Sequence, residues 1–365
     1  MKNRLKRVIN FVKKSIIIKT GIVLFLAFLL LNNIGTAKDT YLINNKAIVF
    51  LTAQDGYNYI EKSDFIKNLS KLDIELRLEK NLSVKDLDYC HDLYRKHHKK
   101  QFRRWSFVDK RFIIKRLKNA YSKIDSITPN VLPDTLYLIR TSGKQEFKSF
   151  YTCKNAVVCP STIRMSSTYL PMFGYIRNYM ERVFIHELFH IYSTNYPNVR
   201  DSLYSAVGFE RIDCLKLTPE IKKRLISNPD DKPGFYKITL TEKETCSEKV
   251  YCLLILSKYN EWRGYVDFPA RLNVLIVYLG EGLHQIYKNG ECWESVVDNN
   301  KPIIKKGKEF QDYFKKVGLD EYSPEEIVAH LFIDLIKSKY DDEFLEKKPT
   351  EYKLTLNRLE YILNK

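Results

Sequence analysis

The 365-residue chain predicts an α+β fold: a mixed sheet, then a helix that carries the chemistry, with a mainly helical region ahead of both. Three observations lead there. From Tyr175 to Tyr192 there is no Gly or Pro, and Ile176, Met180, Val183, Phe184, Leu188, Ile191 and Tyr192 recur at three- and four-residue intervals, the period of an amphipathic helix. Two short apolar runs before it, Thr135 to Arg140 and Asn155 to Cys159, read as strands. The stretch from Lys38 to about Ser126 reads as helical after one initial strand.

Taken in order, residues 1–37 carry seven Lys and Arg and no acid, and the apolar run Gly21 to Leu31 ends near the small residues Gly35-Thr36-Ala37. An eleven-residue apolar core suits a signal peptide, and Ile16 to Ile18 lengthen it enough for a signal anchor. Either reading leaves the basic flank inside and the rest exported, secreted or periplasmic, or held at a membrane and facing outward. Residues 38–126 form the mainly helical N-terminal region, and residues 127–365 the domain that holds the sheet and the motif helix.

The net charge of +17 is unevenly placed. Arg95 to Lys123 holds twelve basic residues against Asp109, and outside that stretch and the export segment the chain is close to neutral. Phe102, Trp105, Phe112, Ile113, Leu117, Tyr121 and Ile124 mark one apolar face within it. The expectation is a basic amphipathic helix with its charges in solvent, able to meet an anionic membrane or wall surface, and nucleic acid is disfavoured as a partner. An odd count of seven cysteines leaves at least one free thiol. Cys153 with Cys159, and Cys246 with Cys252, are near enough to close small loops, and no C-x-x-C suggests a cysteine-bound metal. Asn228 to Gly234 is a turn cluster, and Asn299 to Gly307 reads as a surface loop.

The chemistry lies at His186-Glu187-Leu188-Phe189-His190, which reads H-E-x-x-H. Residues four apart share a helix face, so His186 and His190 can present two imidazole nitrogens to one Zn²⁺, while Glu187 stands beside the metal as general base. Zinc brings the pKa of its bound water near neutrality, and Glu187 takes the proton.

On these residues the sequence resembles the HExxH zinc metallopeptidases, whose zincin-like catalytic domain is the expected form of the α+β fold here. Ser193 and Tyr196 stand where the metzincin pattern requires Gly and His, which excludes that branch. The resemblance is to the thermolysin-like branch, the gluzincins, and it implies a third ligand from a Glu on a later helix, in an ExxxD pattern whose Asp steadies the first His. Glu326, in Ser323-Pro324-Glu325-Glu326-Ile327-Val328-Ala329-His330, is the preferred residue, because this run reads as a helix start with an apolar face. Its alternative role is a capping box with Ser323. Glu210, twenty residues after His190, is the competing ligand. The segment also resembles the P-E-E-I-hydrophobic-A runs of exported HExxH proteins, in which an acid stands four residues after the second Glu. His330 occupies that place, as a partner for a ligand histidine, as a third histidine on the metal, or simply as a histidine on the helix face.

Two further expectations concern substrate, and a third the chain between the halves of the site. Asn155 and Ala156 look similar to the Asn-Ala start of the thermolysin-like edge strand, to which an extended peptide adds by main-chain hydrogen bonds. Tyr322 and Tyr236 are candidates for donating to the developing oxyanion, with His284 a further one. The 136-residue step from His190 to Glu326 exceeds that of thermolysin-like enzymes, and the resemblance then implies a large insertion or a different assembly of the site. The expected function is an exported zinc metallohydrolase, a peptidase acting on a peptide or protein. Its rivals are a degenerate zinc-binding protein that recognises peptide or cell-wall material, and a membrane-tethered interaction protein that uses the basic helix.

Overall fold

The computed structural model describes residues 39–161, 173–231, 234–241, 246–257, 261, 279–280, 283–298, 301–302, 304–305 and 323–365. Residues 1–37, expected to direct export, and Tyr322 lie outside them. Among the described residues no helix is long and apolar enough to cross a membrane. The fold is α+β with mixed sheets.

The first sheet contains β1 (Asp39–Ile43), β2 (Lys46–Phe50), β3 (Thr135–Thr141), β4 (Tyr151–Cys153) and β5 (Ala156–Pro160) in the order β1-β2-β3-β5-β4. β2 and β3 pair in parallel, as do β3 and β5, whereas β1 with β2 and β4 with β5 are antiparallel hairpins. Successive side chains of a strand face opposite sides. Leu136, Leu138, Val157 and Cys159 enter one core, and Ile139, Ala156 and Val158 enter another. Burial on both faces is why these strands read as near-continuous apolar runs.

One face is covered by α1 (Ala53–Glu61), α2 (Asp64–Lys67), α3 (Lys71–Leu78) and α4 (Leu87–Lys99), through Ile60, Ile66, Ile74, Cys90 and Tyr94. The other is covered by α5 (Phe107–Asp125) and α6 (Phe173–Asn195), through Ile113, Leu117, Tyr121, Phe184, Leu188 and Ile191. The basic stretch is therefore two helices with a connection between them, not one. Ser106 and Asp109 close a full capping box at the start of α5, and Phe102 and Trp105 belong to the connection. Lys110 and Arg116 are buried, Lys110 against Asp39, while Arg111, Lys115 and Lys118 remain exposed.

After α6 come α7 (Pro197–Ala206), β6 (Phe209–Ile212), β7 (Leu215–Lys216), α8 (Pro219–Arg224), β8 (Phe235–Thr241) and β9 (Glu248–Leu253). They are followed by the short ladder of β10 (Leu256–Ser257) with β11 (Leu279–Gly280), then by β12 (Leu283–Asn289) and β13 (Cys292–Ser295). The second sheet runs β6-β8-β9-β12-β13-β7. Phe209, Tyr236, Ile238, Leu240 and Tyr251 join the main core, and Ile212, Ile221, Cys252 and Ile286 form a smaller one. The segment expected as a loop from Asn299 to Gly307 contributes the two-residue strands β15 (Lys301–Pro302) and β16 (Ile304–Lys305), after β14 (Val297–Asp298). The chain then enters α9 (Pro324–Ser338), α10 (Asp342–Glu346) and α11 (Thr350–Leu363), with Phe332, Leu335, Leu356 and Leu359 closing the main core. The Phe189 and Phe332 rings, 5.4 Å apart, join α6 to α9. Such a pair contributes about 0.5–1.5 kcal/mol beyond its buried area.

The cysteine pairing differs from expectation. Cys214 and Cys292 form the disulfide, brought together where β7 pairs in parallel with β13. Cys153 and Cys159 stay free because they point to opposite faces of the first sheet, one into each core. Cys252 is buried within β9 while Cys246 is exposed ahead of it, and these two also stay free.

Candidate metal centre

Two helices build the centre. On α6 the buried positions Phe184, Leu188 and Ile191 turn one face into the core, and His186, Glu187 and His190 follow on the adjoining face. On α9 the chain arrives extended at Ser323, whose hydroxyl accepts a hydrogen bond from the Glu326 N–H at 3.3 Å, and Pro324 takes the first helical position. Only that half of the capping box forms. The Glu326 carboxylate turns instead to the histidines, with Oε2 3.1 Å from His186 Nε2 and 3.8 Å from His190 Nε2.

The two Nε2 atoms are themselves 2.9 Å apart, and His186, His190 and Glu326 are the one group among the described residues with a metal-holding arrangement of donors. Zinc bonds nitrogen and oxygen at about 2.0–2.2 Å, so one ion can touch donors separated by up to about 4.2 Å, and all three separations satisfy this. Two imidazoles and a carboxylate are also a donor set that zinc takes with one position left open. These residues fit the group that the motif implies.

Behind the donors, His190 Nδ1 donates to Glu325 Oε1 at 2.7 Å, with both side chains buried. Glu325 also accepts from the hydroxyls of Ser193 and Tyr204. The carboxylate fixes the His190 tautomer with the proton on Nδ1 and leaves Nε2 for the metal. A support of this kind was expected four residues after Glu326 and on the first histidine, whereas here it acts on the second, His190. The supporting acid is one residue before Glu326 rather than four after it, and the paired glutamates were its visible sign. His330 packs its ring against His186 with centroids 5.2 Å apart, and it stands outside the donor group. Replacing Glu325 with Gln, which keeps the shape and removes the charge, is expected to weaken zinc binding by about 10–100-fold. Competition against a chromogenic chelator measures it.

Glu187 is buried, and its Oε2 has no hydrogen-bond partner among the described residues. Burial, and after it the nearby Asp230, push its carboxyl well above the usual range. Burial opposes protonation of His190, yet Asp230, Glu326 and Glu325 outweigh it and raise that imidazole well above its ordinary value. His186 is lowered, chiefly by burial and by His190. Asp231 is pushed up to about 7 by burial and by Glu326. So many carboxylates converging on two histidines form a field that a divalent cation relieves.

The remaining candidates separate clearly. Glu210 lies exposed on β6 and pairs with Lys237 across the sheet, so it is not a ligand. Asn155 is in the β4–β5 turn, where its Oδ1 accepts from Asn195 at 2.8 Å. Ala156 begins β5, which is flanked by β3 and β4 and offers no free edge. The edge strand beside β5 is β4. Its Thr152 N–H and hydroxyl both donate to Asp230 Oδ1 at 2.7 Å, so that edge is covered by the chain itself. Tyr236 spends its hydroxyl on Asp201 at 2.7 Å and packs on Tyr204, which takes it out of consideration as an oxyanion donor. His284 lies on β12, in the second sheet. Beside the centre is a cavity of about 460 Å³ whose walls include Thr152, Asn228, Tyr236 and Glu325 but none of the H-E-x-x-H residues.

Comparison of the chain with protein-family models, with curated proteins and with solved structures finds no match.

Proposed function

We propose that this protein is a zinc-dependent hydrolase of the zincin-like class, and more particularly an exported peptidase. The observation that carries the reading is the convergence of His186 Nε2, His190 Nε2 and Glu326 Oε2 from helices far apart in sequence, beside a buried Glu187 whose Oε2 has no partner among the described residues. Bound zinc supplies Lewis-acid polarisation of a carbonyl and a water acidic enough to lose its proton near neutral pH. Glu187 accepts the proton of the attacking water and returns it to the leaving amine. Glu325 holds His190 in register throughout. The Glu325 contact also favours the enzyme over a degenerate homologue, because an acid still orients one of the two ligand histidines although position 330 carries none. Export is supported by the sequence of residues 1–37, and a disulfide suits an oxidising compartment.

The test is elemental analysis of the dialysed protein together with cleavage of a mixed peptide library. One zinc per chain and cleavage abolished by a chelator are expected. A folded protein that holds no zinc overturns the proposal.

A further inference from the structure

We infer that Asn228 is a positioning residue for the metal ligand Glu326, an inference that rests on the zinc reading above. Asn228 Nδ2 donates to Glu326 Oε1 at 3.1 Å, on the side of the carboxylate away from the histidines. The other oxygen, Oε2, is the one that faces His186 and His190. One oxygen is thus committed to the amide and one is left for a metal, which selects monodentate ligation by Glu326.

The amide is itself oriented. Asn228 Oδ1 accepts from the Asp230 N–H at 3.1 Å, so the amino group must face the glutamate. The segment that presents it, Ser227 to Asp231, is pinned at both ends. Ser227 donates its N–H and hydroxyl to Asp73 at 2.9 and 3.0 Å, and its carbonyl accepts from Arg77 Nη2 at 3.0 Å. Arg77 is buried and held by Asp73 and by a two-pronged contact with Glu146. At the other end Asp230 takes Thr152 on β4, and Asp231 accepts from the capping hydroxyl of Ser323 at 2.8 Å. Helix α3 in the N-terminal region therefore reaches the metal centre through this strap. That region is a working part of the centre rather than an appendage to it.

The experiment measures zinc dissociation constants by chelator competition for the full chain, Asn228→Ala and Asn228→Asp, with thermal melts of the zinc-free proteins alongside. Zinc affinity falls about 10–100-fold in the Ala variant. It falls less in Asn228→Asp, which keeps the size of the side chain and the acceptor for Asp230 and loses the donor, but adds a negative charge that attracts the cation. The zinc-free melts stay together. Unchanged affinity in both variants overturns the positioning role while leaving the zinc reading intact. So does a loss of affinity that only follows a loss of zinc-free stability. A parent chain that binds no zinc overturns both.

Discussion

Glu187→Gln is expected to keep its zinc and lose peptide hydrolysis by about 10²–10⁴-fold, the range ascribed to a positioned general base. In activation free energy this is roughly 3–5 kcal/mol. The metal is retained because Glu187 is not among the three donors, whose nitrogens and oxygen come from His186, His190 and Glu326. The fold is retained because the substitution is isosteric at a buried site where Oε2 makes no hydrogen bond among the described residues. It also removes a charge whose burial beside Asp230 is unfavourable. Zinc stoichiometry by elemental analysis, set beside initial rates on one cleaved peptide, separates the two effects. Cleavage at the parental rate removes Glu187 from the mechanism.

Glu326→Ala should act on the metal itself. It withdraws the only carboxylate of the donor trio and leaves two imidazoles from a single helix, so the loss of zinc affinity should exceed the 10–100-fold typical of supporting residues. Glu210→Ala is the internal control, since that exposed side chain is engaged with Lys237 and should leave zinc content unchanged. His330→Ala divides the remaining alternatives. Its ring packs against His186 without entering the donor group, so zinc should stay bound, whereas loss of zinc on this substitution alone would identify a three-histidine centre. Elemental analysis of the three dialysed proteins gives the answer.

The parts of this architecture that were legible in the sequence are those fixed by local periodicity. The H-E-x-x-H helix declared itself through its apolar spacing. β3 and β5 did so because both of their faces are buried, which makes their residues apolar in succession. The start of α9 was marked by Ser323 and Pro324. What was not legible depends on which segments become neighbours. The disulfide could not be read from spacing, because Cys214 and Cys292 meet only through the pairing of β7 with β13, while the nearer cysteine pair Cys153 and Cys159 is split across the two faces of one sheet. The likeness of Asn155-Ala156 to an edge strand was not met, since β5 is an ordinary inner strand, and nothing local distinguishes it from β4. The basic stretch misled because the apolar spacing of Phe102 and Trp105 runs straight into that of α5. The capping pair Ser106 and Asp109 was the sign that a helix begins there. Glu325 went unseen because the family pattern directed attention to position 330, and Asn228 because a turn cluster reads as surface.

The distance along the chain between the halves of the centre also sets a schedule for its assembly. His190 precedes its partner Glu325 by 135 residues. At a synthesis rate of about 5–20 residues per second, some 7–27 seconds pass between the appearance of the histidines and that of the glutamates. During that interval the first sheet can assemble, since its five strands all precede α6. The histidines then lack both the proposed third donor, Glu326, and the acid that fixes the His190 tautomer. On the proposed reading, the donor set is therefore incomplete until α9 has been made and docks against α6.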